Sequence, residues 1–149
     1  MKLSSKEKIF MNFDRKKLVE AAIEARKYAY IPYSGFGVGA AILCEDGEII
    51  TGCNIENAAY SPTNCAERTA VFKAVSQGKT QFIAIAIVGG MGKEGKTQNY
   101  TAPCGVCRQV LCEFNDGSMA VILAKSEDNY KEYKLKEILP LSFTPNSLV

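Results

Sequence analysis

Residues 64–88 read NCAERTAVFKAVSQGKTQFIAIAIV. Pro62 and Asn64 suit a helix start and Gly78 suits a helix end, so the spacing predicts a helix over Cys65–Gln77. Phe82–Val88 is a short continuous apolar run, read as a buried strand. A helix handing over to a buried strand within 25 residues is the repeating unit of an α/β fold.

Downstream, a glycine-rich loop leads to a predicted helix over Gly105–Phe114, stopped by Asn115, Asp116 and Gly117. Strands follow at Met119–Ala124 and near Tyr130–Leu135. Upstream, Leu18, Ala21, Ala22, Ala25 and Ala29 have helical spacing within residues 13–30, with Asp14 as N-cap and Pro32 as the stop. Phe36–Leu43 and Gly47–Cys53 flank Glu45-Asp46-Gly47, a hairpin signal, and should pair antiparallel. The expected architecture is an α/β three-layer α-β-α sandwich: one mixed five-stranded sheet with helices on both faces. Residues 1–12 read as an N-terminal extension and residues 13–149 as a single domain.

Bulk properties narrow the function classes. With 18 Lys and Arg against 16 Asp and Glu, the net charge is +2, and the lysines are scattered from Lys2 to Lys136, which argues against a nucleic-acid partner. The longest apolar run is far short of a membrane span, and Met1–Asn12 lacks the apolar stretch of a signal peptide. The expected location is cytoplasmic, where six cysteines serve as metal ligands, catalytic groups or buried residues more readily than as disulfides.

Gly90-Met91-Gly92-Lys93-Glu94-Gly95-Lys96-Thr97 fits the phosphate-loop pattern and follows a predicted strand. That loop needs a helix whose N-terminal amides hold the phosphates, and Gln98–Ala102 run straight into Pro103. The segment reads instead as a mobile surface loop.

The chemistry concentrates in two helix starts, Cys65-Ala66-Glu67 and Pro103-Cys104-Gly105-Val106-Cys107. Two cysteines spaced C-x-x-C bind one metal ion from a helix's first turn, and a third from another helix leaves the fourth position open for water, as in a catalytic zinc site. Helix N-termini also favour thiolates. The chain has no histidine, so a soft-metal site must use sulfur and proton transfer must use a carboxylate or another non-histidine group. Glu67 lies two residues from a ligand and is placed to shuttle a proton. Arg68, three residues after Cys65, is placed to donate to a ligating sulfur and offset the excess charge of three thiolates.

These residues resemble the cytidine deaminases of the three-cysteine, homotetrameric class, within the cytidine and deoxycytidylate deaminase family, over roughly residues 13–148. The resemblance implies one Zn2+ per subunit on Cys65, Cys104 and Cys107, with Glu67 moving protons as water attacks C4 of a free pyrimidine nucleoside, cytidine or deoxycytidine, and ammonia leaves. Gly52-Cys53-Asn54-Ile55-Glu56-Asn57-Ala58 resembles the family's sugar-binding strand, which implies that Asn54 and Glu56 bind ribose hydroxyls. Phe36 matches the aromatic near the pyrimidine, Ala66 is implied to read the base edge, and Phe143 matches an aromatic that stacks on the base, often across a subunit boundary. In Leu139-Pro140-Leu141-Ser142-Phe143, Leu141 stands where a glycine is expected after the proline. A homotetramer with shared active sites follows from the same resemblance.

Other readings stay open at this level. A structural zinc site would need a fourth ligand, for which Cys44, Cys53 and Cys112 are candidates, although their positions suit small buried residues better. Asn54 and Glu56 alone could be edge-strand polar residues, and Tyr33 and Tyr60 could line the site or an interface. A deaminase acting on nucleic acid would need a basic, aromatic groove, and an antibiotic deaminase would not need the sugar pair.

Overall fold

A computed structural model of the chain describes residues 1–149, apart from the side chain of Lys6. The strands are β1 (Phe36–Cys44), β2 (Ile49–Cys53), β3 (Phe82–Met91), β4 (Ala120–Ser126) and β5 (Asn129–Lys134). They form one sheet in the order β2-β1-β3-β4-β5. Only the β3–β4 pair is parallel, so the sheet is mixed, as expected. The β1–β2 turn closes with Gly47 at φ +89, a left-handed conformation that glycine adopts without Cβ strain.

Alternation along the strands builds two cores. Val38, Ala40 and Ile42 of β1 face one core while Ala41 and Leu43 face the other, and β4 splits the same way between Val121 and Leu123 on one side and Ala120, Ile122 and Ala124 on the other. The helices α3 (Ala66–Ser76), α4 (Gly105–Glu113) and α5 (Leu135–Ile138) cover the first face. The second is covered by α1 (Ser5–Asn12) and α2 (Arg15–Arg26), giving the three-layer α-β-α sandwich. Among the described residues no helix is long and apolar enough to cross a membrane.

Several boundaries depart from the sequence reading. The helix capped by Asp14, which accepts from Lys17 N, ends at Arg26 instead of reaching residue 30. The amides of Lys27, Tyr28 and Ala29 close tighter turns onto residues three back, and Tyr30 N is drawn to Asn54 O at 3.0 Å. Strand β3 runs to Met91, past Val88, because Gly89, Gly90 and Met91 pair with Val38, Gly37 and Phe36. Residues 1–12 carry their own helix, with a Ser4–Glu7 capping box and with Ile9 and Phe10 packed on the second core.

The loop read as mobile is anchored. Its residues 91–96 are exposed, but four of its backbone carbonyls accept hydrogen bonds from the buried Arg26 guanidinium. No helix starts directly from it, since the next one, α4, begins only at Gly105, in keeping with the rejected phosphate-loop reading.

Candidate active site

Helix α3 reaches its position because β2 presents Gly52 to it: a Cβ there would lie 2.6 Å from Ala66 O and 2.5 Å from Ala70 N. That close approach sets the helix's first turn, with Cys65 as an N-cap in extended geometry. Cys104 is the N-cap of α4, and its sulfur accepts from Cys107 N at 3.5 Å. Two helix starts therefore deliver three thiols to one point. Their sulfurs all lie within 4.8 Å of one another, with Cys65 and Cys104 at 3.9 Å.

The donor set fits zinc: three soft sulfurs converge, and among the described residues no fourth Cys, Asp or Glu joins the cluster. A closed structural site would require that fourth ligand. Cys44 and Cys112 are buried in the first core and Cys53 is half-buried on β2, so none of them closes the site.

Arg68 Nη2 donates to Cys65 Sγ at 3.3 Å, and the guanidinium also interacts with Cys107. Its Nε is buried with no partner among the described residues. The Cys65 thiol is pulled below its ordinary value, by the neighbouring Cys107 thiol and then by Arg68. Cys107 shifts the opposite way because its sulfur faces that of Cys65 and is itself buried. Glu67 is 4% exposed, and burial pushes its carboxyl up to about 7, a range suited to taking and returning protons at neutral pH.

The predicted sugar pair lies in a second cluster. A pocket of about 580 Å³ is lined by Tyr33, Ser34, Phe36, Asn54, Glu56, Tyr60 and Thr63. Asn54 clamps β1 with both ends of its amide, donating to Phe36 O and accepting from Val38 N, each at 2.8 Å. Glu56 accepts from the Ser34 hydroxyl at 2.5 Å and from the amides of Tyr33 and Ser34. Both side chains thus shape the pocket wall. The backbone of Ile55, between them, is bonded to that of Asn64, which precedes Cys65, so pocket and cysteine cluster are joined.

Tyr33 and Tyr60 meet edge to face at 5.9 Å on the rim, with Tyr60 at φ +57. Ala66 is fully buried among core residues. Phe143 is exposed and is not among the residues lining the pocket of its own chain, and its carbonyl accepts from Gln109. Leu141, at the expected glycine position, has φ +54, a left-handed conformation costing an ordinary residue about 1–2 kcal/mol. Sequence reasoning missed Ser34, Thr63 and Asn64, whose short polar side chains in irregular segments carry no periodic signal.

Comparison with known proteins agrees with this geometry. Residues 13–124 match the family model described as the cytidine and deoxycytidylate deaminase zinc-binding region. A cytidine deaminase of Sporosarcina psychrophila is 50% identical over 91% of this chain and 95% of its own length. Another from Halalkalibacterium halodurans is 46% identical over 91% and 98%. The crystal structure of cytidine deaminase from Burkholderia pseudomallei superposes with a TM-score of 0.77 at 43% identity, covering 85% of this chain and 97% of that one. With three thiols meeting at two helix starts and a match spanning most of the sheet, the chain belongs to the cytidine and deoxycytidylate deaminase zinc-binding family.

Proposed function

We propose that this protein hydrolyses free cytidine and deoxycytidine to uridine and deoxyuridine with release of ammonia, as a pyrimidine-salvage enzyme. The observation that carries this reading is the convergence of Cys65, Cys104 and Cys107 beside a buried Glu67, with the pocket that holds Asn54 and Glu56 joined to them through Asn64.

Cys65, Cys104 and Cys107 would hold one zinc per subunit, which when bound would supply the Lewis acidity that makes water a nucleophile at neutral pH. Glu67 takes a proton from the water attacking C4 and gives it to N3. It then moves the second water proton to the departing amine, so that the C4–N bond breaks and ammonia leaves. Arg68 draws negative charge from the Cys65 sulfur. Asn54 and Glu56 bind the sugar hydroxyls, Phe36 packs near the pyrimidine, and the Ala66 backbone meets the base edge.

The working unit is a homotetramer whose sites are completed by neighbouring copies. Exposed Tyr28, Tyr30, Tyr33 and Tyr60, together with a Phe143 that does not line its own chain's pocket, support this assembly. Residues 13–149 form the catalytic domain and residues 1–12 an appended helix. The cytoplasm suits a protein whose six cysteines are all unbridged.

The test incubates purified protein with cytidine, deoxycytidine and a cytosine-containing single-stranded oligonucleotide, with and without a zinc chelator. Nucleoside turnover abolished by chelation is the expected result. Turnover of the oligonucleotide alone moves the activity to nucleic acid, and no turnover with zinc present overturns the assignment. Light scattering at micromolar concentration should report a tetramer, and a monomer contradicts the shared site.

A further inference from the structure

Arg26 is 1% exposed, yet none of its five hydrogen bonds goes to a carboxylate. Nε donates to Gly37 O at 2.9 Å, Nη1 to Glu94 O and Gly95 O at 3.3 and 3.2 Å, and Nη2 to Met91 O and Gly92 O at 3.0 and 3.1 Å. Every guanidinium N–H therefore meets a backbone carbonyl. A phosphate loop turns its amides inward around an anion, whereas the Gly90–Thr97 loop turns its carbonyls inward around a cation that the chain itself supplies.

This cage borders the substrate pocket. Gly37 lies between Phe36, whose carbonyl accepts from Asn54 Nδ2, and Val38, whose amide donates to Asn54 Oδ1. Arg26 holds the intervening peptide through the Gly37 carbonyl, so residues 36–38 are gripped by both side chains. The loop closes on the same segment, with Gly92 N bonded to Gly35 O at 2.8 Å and Gly92 bridged to Phe36.

We propose that Arg26 is a positioning residue for nucleoside binding, which ties the Met91–Gly95 loop to the start of β1 and thereby sets Phe36 and Asn54 in the pocket. The proposal rests on the cytidine deaminase reading above. Lysine cannot replace Arg26, because its three donors radiate from one point and cannot reach five carbonyls arranged around a planar fork. Gly37→Ala strains the same junction from another side, since its Cβ would lie 2.4 Å from Gly92 O.

The experiment measures kcat and KM for cytidine, zinc per chain, and tryptic cleavage after Lys93 and Lys96 in wild type, Arg26→Lys, Arg26→Met and Gly37→Ala. For Arg26→Lys the expected result is a KM raised about tenfold, the loss that corresponds to one hydrogen bond's worth of positioning. Turnover number should stay within about twofold, because Glu67 and the cysteines are untouched. Zinc should remain at one per chain and loop cleavage should quicken, with Gly37→Ala shifting KM the same way. If Arg26→Met fails to fold, Arg26→Lys and Gly37→Ala decide. A wild-type KM in folded Arg26→Lys, or a fall in kcat at constant KM, overturns the proposal, since a purely structural arginine would lower only the amount of active enzyme. Wild-type protein that does not turn over cytidine overturns the functional reading along with it.

Discussion

Asn64 and Ile55 exchange two backbone hydrogen bonds, each residue's N–H donating to the other's carbonyl at 2.9 Å. Asn64 precedes Cys65, the N-cap residue of α3, and Ile55 sits between Asn54 and Glu56 of the pocket wall. The pocket wall and the cysteine cluster are therefore held by the same short bridge.

Gly52→Ala tests that coupling. The added methyl would press on Ala66 O and Ala70 N and drive α3 away from β2. Overpacking of this kind costs about 1–3 kcal/mol. Chemical denaturation should show the loss, and turnover should fall by more than the loss of folded protein explains, because Cys65 and Glu67 travel with the helix. Unchanged stability would mean that β2 and α3 have slack here.

Glu67→Gln keeps the shape and removes the proton-carrying group. Its expected outcome is a fall in kcat of at least about 100-fold, the lower end of what a general acid–base group supplies. Zinc content should be unchanged, since the sulfurs alone form the donor cluster. Near-normal turnover would remove Glu67 from the mechanism.

Arg68→Met deletes the guanidinium that donates to Cys65 at 3.3 Å. Partners that orient a metal ligand typically carry about 10–100-fold in metal affinity, so zinc should be lost to a competing chelator at correspondingly lower chelator concentration. Arg68→Lys should recover part of the loss by restoring charge without the planar fork. Equal zinc retention in all three proteins would show that the arginine has no hold on the centre.

Cys44 supplies a pH signature away from the active site. Burial is the main reason its thiol is pushed from 9.0 up to about 11. The folded chain then binds more protons than the unfolded chain between those values. The contribution to stability is complete below pH 9.0 and is lost as pH rises through about 11. Cys44→Ala should flatten this part of the stability curve, as followed by denaturant midpoints across alkaline pH. Iodoacetamide at pH 8 should leave Cys44 of the folded protein unmodified, while chelation should open the exposed Cys104 to alkylation.

Much of the fold was legible from local chemistry. Asp14 caps a helix wherever its neighbours go, the Asp46-Gly47 pair turns a hairpin through its own backbone freedom, and the apolar run from Phe82 can only be a buried element. The metal centre was legible for the same reason: a C-x-x-C at one helix start and a cysteine at another, in a chain without histidine, leave few ways to build a soft-metal site. Boundaries failed where a distant partner decided them. The α2 helix gives way after Arg26 because Tyr30 pairs with Asn54, and β3 continues through two glycines because β1 lies alongside to pair with it.

The sequence by itself determined which residues are equipped for metal binding and proton transfer, because donor type, capping preference and hydrophobic period are local properties of the chain. Tertiary structure alone decided how they are held. Gly52 admits α3 to within contact of β2, Asn64 meets Ile55, and a glycine-rich loop that looks built for phosphate wraps its carbonyls around Arg26. Each of these depends on backbone groups brought together from far apart in the chain. A backbone carbonyl has the same chemistry at every residue, so only the folded geometry determines which partner it finds.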